Sequence, residues 1–115
     1  MVNYQWSIFW AELDPIKGSE QAGKRPVLIV SSEEVNQALP IVTVLSLTSA
    51  KFDRKVYSIE ALLKVSETGL DKDSIAMAHQ IRAISKERLS EKCGRLDPED
   101  SRERVRVAIK TYLDL

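Results

Sequence analysis

Apolar and polar positions alternate with a period of two through most of this chain, and take up helical spacing only near its end. Residues 4–13 (YQWSIFWAEL) are rich in aromatic and β-branched side chains. Trp6, Ile8, Trp10 and, less cleanly, Glu12 share one parity, which predicts a strand that buries one face. Asp14-Pro15 signals a turn, and residues 16–24 read as a loop with two glycines and no apolar period, long enough to carry a function. Residues 26–32 (PVLIVSS) form the short apolar run of a strand covered on both faces, and residues 33–38 fit one helical turn capped by Ser32. In residues 41–49 (IVTVLSLTS), Val42, Val44, Ser46 and Thr48 point one way, and this third strand ends in two hydroxyls. A basic loop over 51–55 leads to a fourth, edge strand over 56–59. After a turn at Gly69-Leu70, residues 74–84 alternate again as a fifth strand, with Ile75, Met77, His79, Ile81 and Ala83 on one parity. Ser85 caps a short helix expected to end at Gly94. The Asp97-Pro98-Glu99-Asp100 step opens a last helix to about Asp114, with Val105, Ala108, Tyr112 and Leu115 as its apolar stripe. The expected fold is mainly β (α+β): a small twisted barrel with a short helix and a longer C-terminal helix.

Composition narrows the function classes. The chain has 115 residues and 43% hydrophobic content, which fits a single domain over 1–115. Lysine plus arginine number 17 and aspartate plus glutamate number 17, so the formal charge is zero and no global field draws the chain to nucleic acid. Any charged site must be a local grouping. One cysteine, Cys93, beside one histidine, His79, leaves no disulfide and no zinc-ligand spacing, so no metal or cofactor is expected. The longest strictly apolar run is far too short to span a bilayer, and the N-terminus carries no basic region followed by an apolar core. A cytoplasmic location without membrane contact is the expectation.

The segment GSEQAGKRPVLIVSS (residues 18–32) resembles the signature loop and second strand of the PemK/MazF family of toxin endoribonucleases. Further landmarks fall in the same order: the strand ending in Thr48-Ser49, GLDKDSIAMAHQIRAISKERL (residues 69–89), and Gly94-Arg95-Leu96 before a terminal helix. The resemblance implies an SH3-like barrel, a homodimer, an acidic antitoxin partner, and metal-independent, sequence-selective cleavage of single-stranded RNA. It also implies that Arg25 and Thr48 are the catalytic pair. Their chemistry suits such cleavage, since a guanidinium offers a planar fork of donors to a phosphate, a hydroxyl hydrogen-bonds the same oxygens, and loop glycines let backbone N–H groups approach. Arginine is a poor base, so Arg25 is assigned first to charge stabilisation and proton donation. Its structural alternative is an ion pair with Glu20.

Ser19, Glu20, Gln21, Lys24, Ser49, Gln80 and Arg82 are the candidate substrate-binding residues, with Glu20-Gln21 and Gln80-x-Arg82 matching family pairs. Lys17, and the basic loop of Lys51, Arg54 and Lys55 with Phe52 and Tyr57, are candidates to border an RNA groove, against the simpler reading of a solvated hairpin. His79 stands where family members usually have an acidic residue proposed as general base. Imidazole suits acid–base work, while its parity with Ile75 and Met77 favours a satisfied core histidine. Trp6-Ser7 replaces a common Gly-Asp, and Ala83 a usual threonine. Two other functions fit the same fold: a non-catalytic toxin that inhibits a protein such as DNA gyrase, and an inactive regulatory RNA-binding module.

Overall fold

The structure is a computed structural model and describes residues 2–13 and 23–115. Its frame is one antiparallel six-stranded sheet, in the order β4-β5-β3-β2-β1-β6. The strands are β1 (Ser7–Glu12), β2 (Lys24–Ile29), β3 (Ile41–Ser49), β4 (Glu60–Leu63), β5 (Ser74–Ser85) and β6 (Leu89–Arg95). The helices are α1 (Glu33–Ala38), α2 (Val65–Thr68) and α3 (Glu99–Leu113), with a single 3-10 turn at Lys86–Arg88. Two of the expected strands, β3 and β5, and both ends of α1 match the pattern closely. Ser32 caps α1 by accepting the Val35 N–H.

The sheet is buried on both sides. One core gathers Ile8, Leu28, Leu45, Leu47 and Leu63 with Val105 of α3, and the other gathers Phe9, Leu13, Val27, Ile29, Val44 and Ile84. This corrects the one-faced reading of β1: Ser7, Phe9 and Ala11 are buried alongside Ile8, Trp10 is half-buried and Glu12 is exposed. Interior strands between two cores lose the polar alternation that a half-solvated strand keeps.

Three further expectations give way in the tertiary structure. Residues 89–95 are a strand and not a helix, because they pair with β1 (Ser7↔Arg95, Ile8↔Gly94) and so cover backbone groups that would otherwise form an open edge. Ser85 still caps the 3-10 turn before it, accepting from Glu87. Gly94 is explained by close approach: a Cβ there would lie 2.7 Å from the Thr68 carbonyl oxygen. The edge strand falls at Glu60–Leu63, four residues later than the pattern places it, because Ala61 and Leu63 fill the core while Val56 remains exposed. α2 carries no prediction; it is a single turn closed by Gly69 at φ +79°. Along α3, Val105 and Ala108 are buried as expected, whereas Tyr112 and Leu115 face outward and Ile109 packs on the core instead. Among the described residues no helix is long and apolar enough to cross a membrane.

Candidate active site

The candidate residues converge through strand register. β2 and β3 pair as Val27↔Ser46, Leu28↔Leu45 and Ile29↔Val44. Carried two residues further along both strands, this register sets Arg25 across from Thr48. Alternation then puts both on the face that carries Val27 and Ser46. Both are half-buried, at the ends of strands whose inner portions are fixed by the core. Thr48 also pairs with Ile75 of β5, and Arg25 with Ala11 of β1. A guanidinium and a hydroxyl are thus held by rigid elements on one face.

Ser49 goes elsewhere. It is exposed, and alternation turns it to the opposite face, where it lines a groove of about 320 Å³ with Trp10, Pro26, Leu70, Lys72 and Cys93. Cys93 is half-buried, and burial pushes its thiol up. Lys24 is exposed at the start of β2, opposite Glu12. Ser19, Glu20, Gln21 and Lys17 lie outside the described residues.

The Gln80-x-Arg82 segment sits in an irregularity. From Val44↔Arg82 to Ser46↔Met77, β3 advances from residue 44 to 46 while β5 runs from 82 back to 77, so residues 78–81 bulge out of register. Arg82 is half-buried opposite Val44, and Gln80 is half-buried within the bulge. His79, beside it, does not match the satisfied core histidine that parity favours. It is half-buried and its Nδ1 is buried with no hydrogen-bond partner among the described residues.

Sequence reasoning missed what lies next to it. Glu60 pairs with Met77, in one row with Ser46, and its side chain is 2% exposed. Arg54 grips it with two hydrogen bonds, Nη1 to Oε1 at 3.0 Å and Nη2 to Oε2 at 2.8 Å, and the Tyr57 amide donates to Oε1 at 3.1 Å. The hydrogen bonds from Arg54 hold the Glu60 carboxyl below its ordinary range against the effect of burial, and the charge of His79 adds to them. Arg54 is therefore drawn inward and does not stand free as a groove cation, while Phe52 is 95% exposed and Lys55 lies over the Tyr57 ring. The one signal in the sequence was the parity of Ser46 with Thr48. Among the described residues, no group of three or more His, Cys, Asp or Glu side chains is arranged to hold a metal ion.

Residues 4–113 match the family described as PemK-like, MazF-like toxin of type II toxin-antitoxin system. The chain belongs to this family. The toxin is 36% identical over 113 residues to endoribonuclease MazF9 of Mycobacterium tuberculosis, covering 94% of this chain and 93% of that one. It is 32% identical over 99 residues to endoribonuclease EndoA of Bacillus subtilis, covering 86% of this chain and 84% of that one. Among solved structures it resembles M. tuberculosis toxin MazF-mt6, at 26% identity, a TM-score of 0.76, and 95% and 97% coverage. It shares the fold of MazF from Deinococcus radiodurans, at 24% identity, a TM-score of 0.81, and 100% and 99% coverage. The position of Trp6 now has a structural account: the toxin adopts φ +67° there, the left-handed region that favours the family's glycine.

Proposed function

We propose that this toxin is an endoribonuclease that cuts single-stranded RNA through the RNA's own 2′-hydroxyl. The observation that carries the reading is the common face of Arg25 and Thr48, in a chain whose relatives are named endoribonucleases. As O2′ attacks phosphorus, the O2′–P bond forms and the P–O5′ bond breaks, leaving a 2′,3′-cyclic phosphate and a 5′-hydroxyl. Arg25 and Thr48 donate hydrogen bonds to the phosphoryl oxygens, where charge builds in the transition state. An alkoxide is a stronger base than a guanidine, so Arg25 also suits protonation of O5′ and regains its proton from water. We assign uptake of the O2′ proton to His79.

Ser19, Glu20, Gln21 and Lys24 border the substrate in this reading, with Ser49, Gln80 and Arg82 contacting RNA farther along. The same reading extends the open sheet to an SH3-like barrel in one toxin domain that works as a homodimer in the cytoplasm. Its partner is an acidic antitoxin segment that covers the loop before β2. MazE-MazF complexes from D. radiodurans share the fold.

The test is a long unstructured RNA incubated with the toxin in EDTA, with end-group analysis. Discrete cuts ending in cyclic phosphate are expected. Arg25→Ala should lose about 100-fold or more of the rate, the scale of a removed transition-state donor, and Thr48→Ala about tenfold. Intact RNA at micromolar toxin overturns the reading. Sedimentation should give twice the mass of one chain.

A further inference from the structure

Two buried side-chain atoms, Ser46 Oγ and His79 Nδ1, have no hydrogen-bond partner among the described residues. Folded proteins leave few such atoms, because each forfeits the hydrogen bonds it would make to water. Both fall in one patch. Ser46 is opposite Met77, Met77 is opposite Glu60, and His79 lies two residues beyond Met77 on the same parity. The Ala78 N–H to Ile59 carbonyl bond, 3.0 Å, continues the β4–β5 register past the end of β4 and so fixes where the bulge begins. The patch is continuous with the catalytic face, since Ser46 and Thr48 share one side of β3.

At its floor sits a carboxylate that is nearly sealed from solvent. Its bidentate Arg54 clamp and the Tyr57 amide hold Glu60 in one geometry. The His79 ring interacts electrostatically with the Glu60 carboxylate of β4, which is itself bound by Arg54 and the Tyr57 amide of the connection before it. A carboxylate so placed favours a positive ring.

We infer that Glu60 is a positioning residue for His79, its Arg54-clamped carboxylate stabilising the imidazolium formed when the ring takes the O2′ proton. The inference rests on the RNA-cleavage reading and deepens it. A carboxylate at position 79 would be repelled by Glu60, whereas an imidazole is favoured by it. The proton comes from O2′, rests on the ring while the P–O5′ bond breaks, and leaves to solvent.

The experiment is a double-mutant cycle on single-turnover cleavage, with RNA affinity and thermal stability measured alongside. Glu60→Gln should slow cleavage about tenfold while changing RNA affinity less than about twofold. In a His79→Ala background the same change should alter the rate by less than about twofold, because the group it serves is gone. A second pair guards against a folding defect. His79→Glu should lose about tenfold or more, and adding Glu60→Gln to it should restore about tenfold by removing the facing charge. If Glu60→Gln costs the same factor with and without His79, or fails to relieve His79→Glu, the positioning role is wrong while RNA cleavage stands. A wild-type toxin that leaves RNA intact overturns the cleavage reading itself.

Discussion

Trp6 shows how one residue can satisfy two opposed demands. Its backbone sits at φ +67°, a conformation that costs a bulky L-residue about 1–2 kcal/mol. Its side chain is only 6% exposed, joins the core around Ile8 and Leu28, and lies under Arg102 and Arg106, whose guanidinium carbons are 5.5 and 5.2 Å from its ring centroid. Burying an indole contributes more than the backbone costs, since truncating such a residue removes about 3–5 kcal/mol. Trp6→Gly should therefore lower stability by about 2 kcal/mol even though it relieves the backbone. Urea unfolding checks this, and unchanged or raised stability would show that strain dominates. The departure at position 6 was legible in the sequence. Its backbone setting was not: the positive φ belongs to the turn that the Ser7 N–H closes onto the Tyr4 carbonyl at 2.9 Å, just before β1.

At the scale of elements, α2 and α3 are joined through Glu67. Burial pushes its carboxyl up, but hydrogen bonds from Arg104, the Lys64 amide and Ser101 outweigh that and hold it down to about 2. The Arg104 bonds are 2.8 Å to each oxygen. A carboxyl lowered in the folded state stabilises the fold fully above its ordinary value of 4.5, and this is lost as pH falls from there toward about 2. Glu67→Gln should cost about 1–3 kcal/mol at neutral pH and flatten the fall in stability below pH 4.5; urea midpoints across that range measure both. An acid limb as steep as that of the wild type would show that another carboxyl controls it. Local patterns named α1, β3 and β5 because cap and alternation agreed there. They misread residues 89–95, whose charges suit a helix surface, because the decisive partner, β1, is some eighty residues away in the chain.

For the whole molecule, the equal counts of 17 cations and 17 anions set how the toxin meets RNA. Much of that charge is consumed internally: Arg54 by Glu60, Arg104 by Glu67, and Arg106 by Glu99 and Glu103. With about three phosphates contacted, the affinity for single-stranded RNA should fall only about 20-fold between roughly 50 and 200 mM salt, where a broadly basic binder falls about 1,000-fold or more. Fluorescence anisotropy with a labelled RNA tests this, and a steep slope would reveal a larger cationic surface. By itself the sequence determined the β-rich class, the capped start of α1, the extent of α3, and the residue types Arg25 and Thr48, because caps, turns and alternation are written in near neighbours. Asp97, expected as the α3 cap, pairs with Arg95 and Arg102 instead, and Pro98 takes the cap position. Only the tertiary structure decided that Arg25 and Thr48 share a face, that Ser49 turns away from them, that Arg54 is spent on Glu60, and that Glu60 and Ser46 fall in one row with Met77, two residues before His79. Those relations come from strand register and from a bulge in β5, both set by non-local pairing and by the two cores the sheet must close.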